Sequence, residues 1–203
     1  LVVTGTLSAH VRAMRTLAAL LLFATPALAT PRLVPARDVT VAYSVAPKDH
    51  QPIQVTVAIE GGGEHLRIAS ESLPTSFLVD RGAHRLAILL PLLKLYSTVG
   101  TGRFDPQETV LKDARFERHG ARRLAGLACT DWSARSEQGT ASACITEDGV
   151  ILAGTAADKH GPLGSVRATN VHYGALPKML FRLPSGYRDA GKLPIGQLAG
   201  VNP

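Results

Sequence analysis

The chain is poor in the residue patterns that most often carry chemistry. Its 203 residues include two cysteines, two methionines and one tryptophan, and aromatic residues make up 5%. The histidines form no H-E-x-x-H or H-x-H element, and no C-x-x-C is present, so the spacings that build a zinc site are missing. There is no G-x-S-x-G elbow. The glycine triplet Gly61-Gly62-Gly63 lacks the helix-opening context and the lysine of a phosphate-binding loop, and reads as a turn. No stretch approaches the ~20 apolar residues that span a bilayer. Heptads, tandem repeats and low-complexity tracts are absent as well. These absences remove metalloenzyme, serine hydrolase and multi-pass membrane readings. The chain is read as a non-enzyme with no cofactor and no metal.

Charge is modest too. Charged residues are 19% of the chain, and 22 basic against 16 acidic residues leave a net +6. The basic residues are scattered, in pairs at most (Arg122-Arg123), with no aromatic-interleaved stripe. Nucleic-acid binding wants such a stripe or a motif, so no nucleic-acid partner is expected.

What is present begins with an export signal. Met14-Arg15-Thr16 makes a short basic start, Leu17 to Ala24 an apolar core, Pro26 a breaker, and Ala27-Leu28-Ala29 an A-x-A cleavage site. Residues 1–13 have no role in such a signal and read as a mis-assigned upstream start, with 14–29 as the signal peptide. The apolar core is too short for an anchor. The expectation is therefore a periplasmic protein without a transmembrane segment after cleavage. Losing Arg12 and Arg15 leaves 20 basic against 16 acidic residues, a net +4.

In an oxidising compartment the cysteine pair, Cys129 and Cys144, is most simply one disulfide. The 14 intervening residues would make that bond worth roughly 3 kcal/mol through the unfolded state. A two-ligand metal site or a catalytic thiol are the alternatives, and the nearest histidines, His119 and His160, lie outside the segment.

After Thr30 the chain alternates polar and apolar residues in piece after piece. Asp38–Val45, Ile53–Ile59, His65–Ala69, Ser76–Asp80 and His84–Leu90 show the period of a strand with one buried face. Further pieces cover Val110–Arg118, Arg123–Ala134, Ala141–Thr146, Val150–Ala156, Ser165–Tyr173 and Met179–Pro184. Pro91 opens Leu92–Val99, which is expected as a short helix or irregular flap over the sheet. Ten or eleven strands with little helix imply a mainly β domain over 30–187. Its expected form is a single curved antiparallel sheet, an incomplete half-barrel with a short cover, and the runner-up is a β-sandwich. Residues 188–203 read as a loose tail.

The most distinctive stretch is G-x-x-C-x-x-W (Gly126–Trp132) followed by C-x-T-x-D-G-V-x-L (Cys144–Leu152). It reads as two strands tied by the cysteines, with Trp132 buried against a neighbour or lining an apolar cavity. The Glu147-Asp148-Gly149 run is turn chemistry. Together with the signal, the V-x-Y piece at Val41–Tyr43, the D-R turn at Asp80-Arg81 and F-x-x-P-x-G-Y at Phe181–Tyr187, this stretch resembles small envelope proteins of Gram-negative bacteria. These are similar to the group of LolA/LolB-type lipoprotein carriers. The resemblance implies an unclosed half-barrel covered by helices, whose apolar concave face holds acyl chains. On that footing the expected function is a non-catalytic carrier of a lipid, lipoprotein acyl chain or other hydrophobic ligand. Groove residues are expected among Ile88, Leu90, Leu92, Leu93, Leu95, Tyr96 and Trp132. The alternative is an interaction module that binds an envelope protein and has no ligand cavity.

Overall fold

Residues 30–100 and 113–191 are described by the computed structural model. The alternating pieces become β1 (Val39–Pro47), β2 (Ile53–Ile59), β3 (His65–Ala69), β4 (Ser76–Asp80), β5 (Arg85–Leu90) and β6 (Leu95–Gly100). The second half supplies β7 (Arg115–Leu124), β8 (Leu127–Ser136), β9 (Gly139–Ile145), β10 (Ile151–Asp158), β11 (Gly161–Tyr173) and the short β12 (Arg188–Asp189). All twelve join one sheet in the order β12-β6-β5-β4-β3-β2-β1-β11-β10-β9-β8-β7. Every pairing is antiparallel except β12 on β6, and the end strands β12 and β7 are not paired with each other. The single open sheet expected from the sequence is the one observed, and the sandwich alternative is not.

Four expectations are corrected. Leu92–Val99 is not a flap: Pro91–Leu93 form one 3₁₀ turn, Lys94 ends it at φ 50°, and Leu95 pairs with Leu90 as β6 returns along β5. Proline suits the first position of that turn because its fixed φ is already helical. The piece Arg123–Ala134 is divided at Ala125-Gly126, whose φ values of 46° and 78° make a two-residue hairpin loop closed by Leu124 opposite Leu127. Met179–Pro184 is not a strand; Lys178–Phe181 is a 3₁₀ turn held by the Leu180 N–H on the Pro177 carbonyl (2.8 Å). Arg188–Asp189, counted with the tail, pair with Leu95–Tyr96 on β6. Of the expected strand Val110–Arg118, residues 110–112 lie outside the described residues.

Residues directly opposite each other in an antiparallel pair share a face. Register therefore places Val39, Val41 and Tyr43 of β1 on the same face as Ile59, Val57 and Val55 of β2. Leu66 and Ile68 of β3, Val79 and Phe77 of β4, and Leu86 and Ile88 of β5 continue it. On the other side Tyr173, Val171 and Ala168 of β11 do the same. The curvature makes this face the inside. Leu66 on β3 and Ile151 on β10 are four strand steps apart, roughly 19 Å in a flat sheet. Both nevertheless line one cavity of about 100 Å³.

Two apolar clusters anchor the sheet. Val39, Val41, Cys129, Cys144, Val150, Leu152 and Ala168 are buried together, drawn from β1 and from the strands and turn between it and the β7 end of the sheet. The Cys129 and Cys144 sulfurs are 2.08 Å apart within that cluster. The second cluster, Leu78, Ala87 and Leu89 with Tyr96 and Tyr187, lies on the outer face of β4–β6. Residues after β11 pack against it through Tyr187, and Arg67 on the same face donates to the Leu180 carbonyl (3.2 Å). Bonds from Ser97 to the Gly191 carbonyl (2.6 Å) and from Ala190 N–H to the Tyr96 carbonyl (2.8 Å) tie this segment to the β6 edge.

Candidate functional site

Across β8–β11 most inner-face positions carry small side chains, Trp132 and Val166 apart. One cross-strand row runs Phe116, Ala134, Ala141, Ala156, Gly164, and the next runs Arg118, Trp132, Ala143, Gly154, Val166. A pleated sheet leaves free space wherever inward positions carry little more than Cβ. Here that space is an open cavity of about 530 Å³ over Ala134, Ala141 and Ala156, bordered by Ala114 and Leu163 and rimmed by the polar residues Arg135, Ser136, Glu137, Gln138, Thr140, Asp158, Lys159 and His160. The volume is that of a small-molecule or single-chain site. Behind this cavity the opposite face carries Ser133, Ser142, Thr155 and Ser165 in register, with a 2.8 Å hydroxyl contact between Ser142 and Thr155.

Further along the same face, a second depression of about 470 Å³ is lined by Thr30, Pro31, Arg32, Arg118, Thr130, Trp132, Ile145, Thr146 and Glu147. The segment at 30–37 crosses the end of the sheet here. Ala36 N–H donates to the Asp148 carbonyl (2.9 Å), and Gly62 N–H to the Pro35 carbonyl (2.9 Å). The segment thus bridges the β9–β10 and β2–β3 turns.

The T-x-D-G turn fixes that crossing. Thr146 Oγ1 donates to Asp148 Oδ1 (2.7 Å) and accepts from Val150 N–H (2.9 Å). Tyr173 donates to the same Oδ1 (2.9 Å), Arg37 Nη2 donates to Oδ2 (3.3 Å), and the Arg37 guanidinium sits 4.2 Å over the Tyr173 ring. Burial pushes the Asp148 pKa up, but the hydrogen bonds from Thr146, Tyr173 and Arg37, with the Arg37 charge, outweigh it and leave the carboxyl below its usual range. Burial and the bond to Asp148 raise the Tyr173 phenol. Gly149, at φ 100°, allows no side chain, since a Cβ would meet the Val34 carbonyl oxygen. Asp38 is a second tie: Gly61 N–H and Leu176 N–H donate to its two oxygens at 2.7 and 2.8 Å. The Leu176 and Gly61 bonds lower its pKa, as does Lys178, against a smaller opposing effect of burial.

The expected groove residues do not form one set. Ile88 and Leu90 are 5% and 9% exposed, and Leu95 faces the same way opposite Leu90. Tyr96 lies on the other face, opposite Leu89, in the outer cluster. Leu92 and Leu93, on the turn, are 85% and 63% exposed. Trp132 lines the depression beside Arg118, on the far side of the sheet from β5. Ala134, Ala141, Ala156 and Gly154 were missed because a search for large apolar residues passes over them. Their signal was small residues at every second position of A-S-A and A-G-T-A.

The fold is an open, inward-curved and almost wholly antiparallel sheet whose inner face is mostly apolar and carries a cavity with a polar rim. No protein-family model and no curated protein matches the chain. Among solved structures it is similar to an uncharacterized conserved protein from Thermus thermophilus, at 12% identity and TM-score 0.57, covering 77% of this chain and 91% of that one. It is also similar to MucB, at 14% identity and TM-score 0.52, covering 75% of this chain and 59% of MucB. The Pseudomonas aeruginosa MucA/MucB complex matches at 15% identity and TM-score 0.50, covering 70% of this chain and 54% of that chain. This chain therefore spans little more than half of the MucB chains. At these identities the likeness is one of fold.

Proposed function

We propose that the protein is a non-catalytic carrier that binds a lipid, an acyl chain or a similar hydrophobic ligand on the inner face of its sheet, in the periplasm. The observation that carries this reading is the 530 Å³ cavity over Ala134, Ala141 and Ala156. Apolar residues extend along the same face through β1–β5, many of them half-buried (Val55, Val57, Leu66, Ile68, Phe77, Val79). A hydrocarbon chain laid there leaves water at roughly 0.8 kcal/mol per CH₂. Ile88, Leu90 and Leu95 are proposed as continuing that lining, with Trp132 at its other end. No group of three or more potential metal ligands occurs among the described residues, and the reading requires none. The signal expected at residues 14–29 supports the compartment, and among the described residues no helix is long and apolar enough to cross a membrane.

The test is native mass spectrometry with lipid extraction on protein recovered from a periplasmic fraction. A co-purifying lipid mass, lost when Ala141 and Ala156 are both changed to Phe, is the expected result. Absence of any lipid together with no uptake of a fluorescent fatty acid overturns it.

A second reading is favoured by one specific likeness. MucB has been solved in complex with MucA, and β7 here is an edge strand with basic, exposed side chains. An envelope protein partner adding an extended segment along β7 is the corresponding proposal. Co-purification of a stoichiometric protein in place of a lipid would favour it.

A further inference from the structure

We propose that the depression bounded by Arg32, Arg118 and Trp132 receives the anionic head of a single-chain amphiphile whose tail lies in the neighbouring cavity. This rests on the carrier reading and narrows its ligand class from any hydrophobic molecule to an acidic one.

The inner face is apolar along most strands, and Arg118 is an exception to that pattern. Cross-strand register sets it directly opposite Trp132. Arg32, brought in by the segment that crosses the end of the sheet, lines the same 470 Å³ space. Among the described residues neither guanidinium is bonded to a carboxylate. Glu147 also lines the depression, so two cations stand against one acid and the site keeps a net positive charge. Arginine presents a planar fork of donors that suits carboxylate and phosphate alike. The indole of Trp132 has an apolar body and a single N–H donor, the chemistry of a residue placed where a polar head meets a tail.

Register sets the two depressions on neighbouring rows of one face. Trp132 and Ala134 are alternate residues of β8 and so project to one face, about 7 Å apart along the strand. Ala143 and Ala141 on β9, and Gly154 and Ala156 on β10, repeat that step in register. The head site and the 530 Å³ cavity are thus adjacent stretches of one floor.

The experiment titrates the full chain with dansyl-tagged undecanoate and with its methyl ester, following energy transfer from Trp132, the single tryptophan of the chain. The expected result is about tenfold tighter binding of the acid, about 1.4 kcal/mol. Arg118→Gln with Arg32→Gln brings the acid down to the ester's affinity, whereas Arg118→Lys keeps most of the difference. Both arginines are exposed, and far-UV circular dichroism checks that the variants fold. Equal binding of acid and ester, or a preference that survives the double substitution, overturns the head site while leaving the carrier reading standing. Displacement of the acid by inorganic phosphate at equal concentration also overturns it, because an anion site would then act without the tail. Binding of neither probe overturns the carrier reading and this inference together.

Discussion

The phenol of Tyr173, at the end of β11, donates a 2.9 Å hydrogen bond to Oδ1 of Asp148 in the turn between β9 and β10. The same carboxylate accepts from Thr146 and Arg37, so one side chain joins the turn, the last long strand and the segment before β1. Replacing it disturbs the acceptor of three donors, Tyr173, Thr146 and Arg37, at a half-buried position.

Asp148→Asn is therefore expected to cost about 2 kcal/mol, read as a lower midpoint in urea at neutral pH. The pH dependence follows from the same bonds. A folded-state pKa held below the unfolded value, as at Asp148 and Asp38, gives stability that is present above the unfolded value of about 4 and is lost as pH falls through the folded value. Wild-type protein should lose stability on acidification below about pH 4, and Asp148→Asn should lose less. Parallel acid unfolding curves for the two would show that the carboxylate carries none of this.

Tyr43 behaves in the opposite sense. Burial, then the nearby Tyr173, raises its pKa to about 12, and its hydroxyl donates to the Ile151 carbonyl (2.8 Å). The resulting stability is whole below the unfolded value of about 10 and is lost as pH rises through about 12. Tyr43→Phe should cost about 1 kcal/mol at neutral pH by orphaning that carbonyl, and should weaken the alkaline loss. Ultraviolet titration of the phenols, with Tyr43 the late component, checks the assignment.

Ala125 sits at φ 46° in the two-residue loop between β7 and β8, a conformation that asparagine and glycine adopt with less strain. Ala125→Asn should raise stability by about 0.5 kcal/mol or more, seen as a higher thermal midpoint. An unchanged or lower midpoint would mean that the loop is not in this conformation in solution.

Ser76 is 4% exposed, and its hydroxyl has no hydrogen-bond partner. It lies opposite Leu89 beneath the covering residues of the outer cluster. Ser76→Ala removes an unsatisfied buried group, so it should be neutral or stabilising by up to about 1 kcal/mol. A loss of more than that would reveal a partner for the hydroxyl.

Much of this architecture is legible in the chain because a strand with one buried face writes its period directly into the sequence. Val39-Thr-Val41-Ala-Tyr43 and Ile53-Gln-Val55-Thr-Val57 announce both the strand and the face it buries. Pro91–Val99 was misread because an apolar run after a proline has no period that separates a covering helix from a strand hidden on both sides. The break at Ala125-Gly126 was missed because Ala-Gly is not the usual dipeptide for such a loop. The role of the T-x-D-G run was visible only as turn chemistry. Its partners Arg37 and Tyr173 lie 111 and 25 residues away from Asp148, and nothing local predicts them.

By itself, then, the sequence determined a mainly β architecture and the inward face of most strands, since these depend on local period. It made a bond between its two cysteines the simplest of several readings, and the structure supplies that bond. Tertiary structure alone decided where the free space lies. Which inward positions face a neighbour and which face a void depends on register and curvature, and these bring Ala134, Ala141 and Ala156 side by side from three strands. That is why the largest inward residues of β5 end up buried, while the cavity opens over the smallest ones.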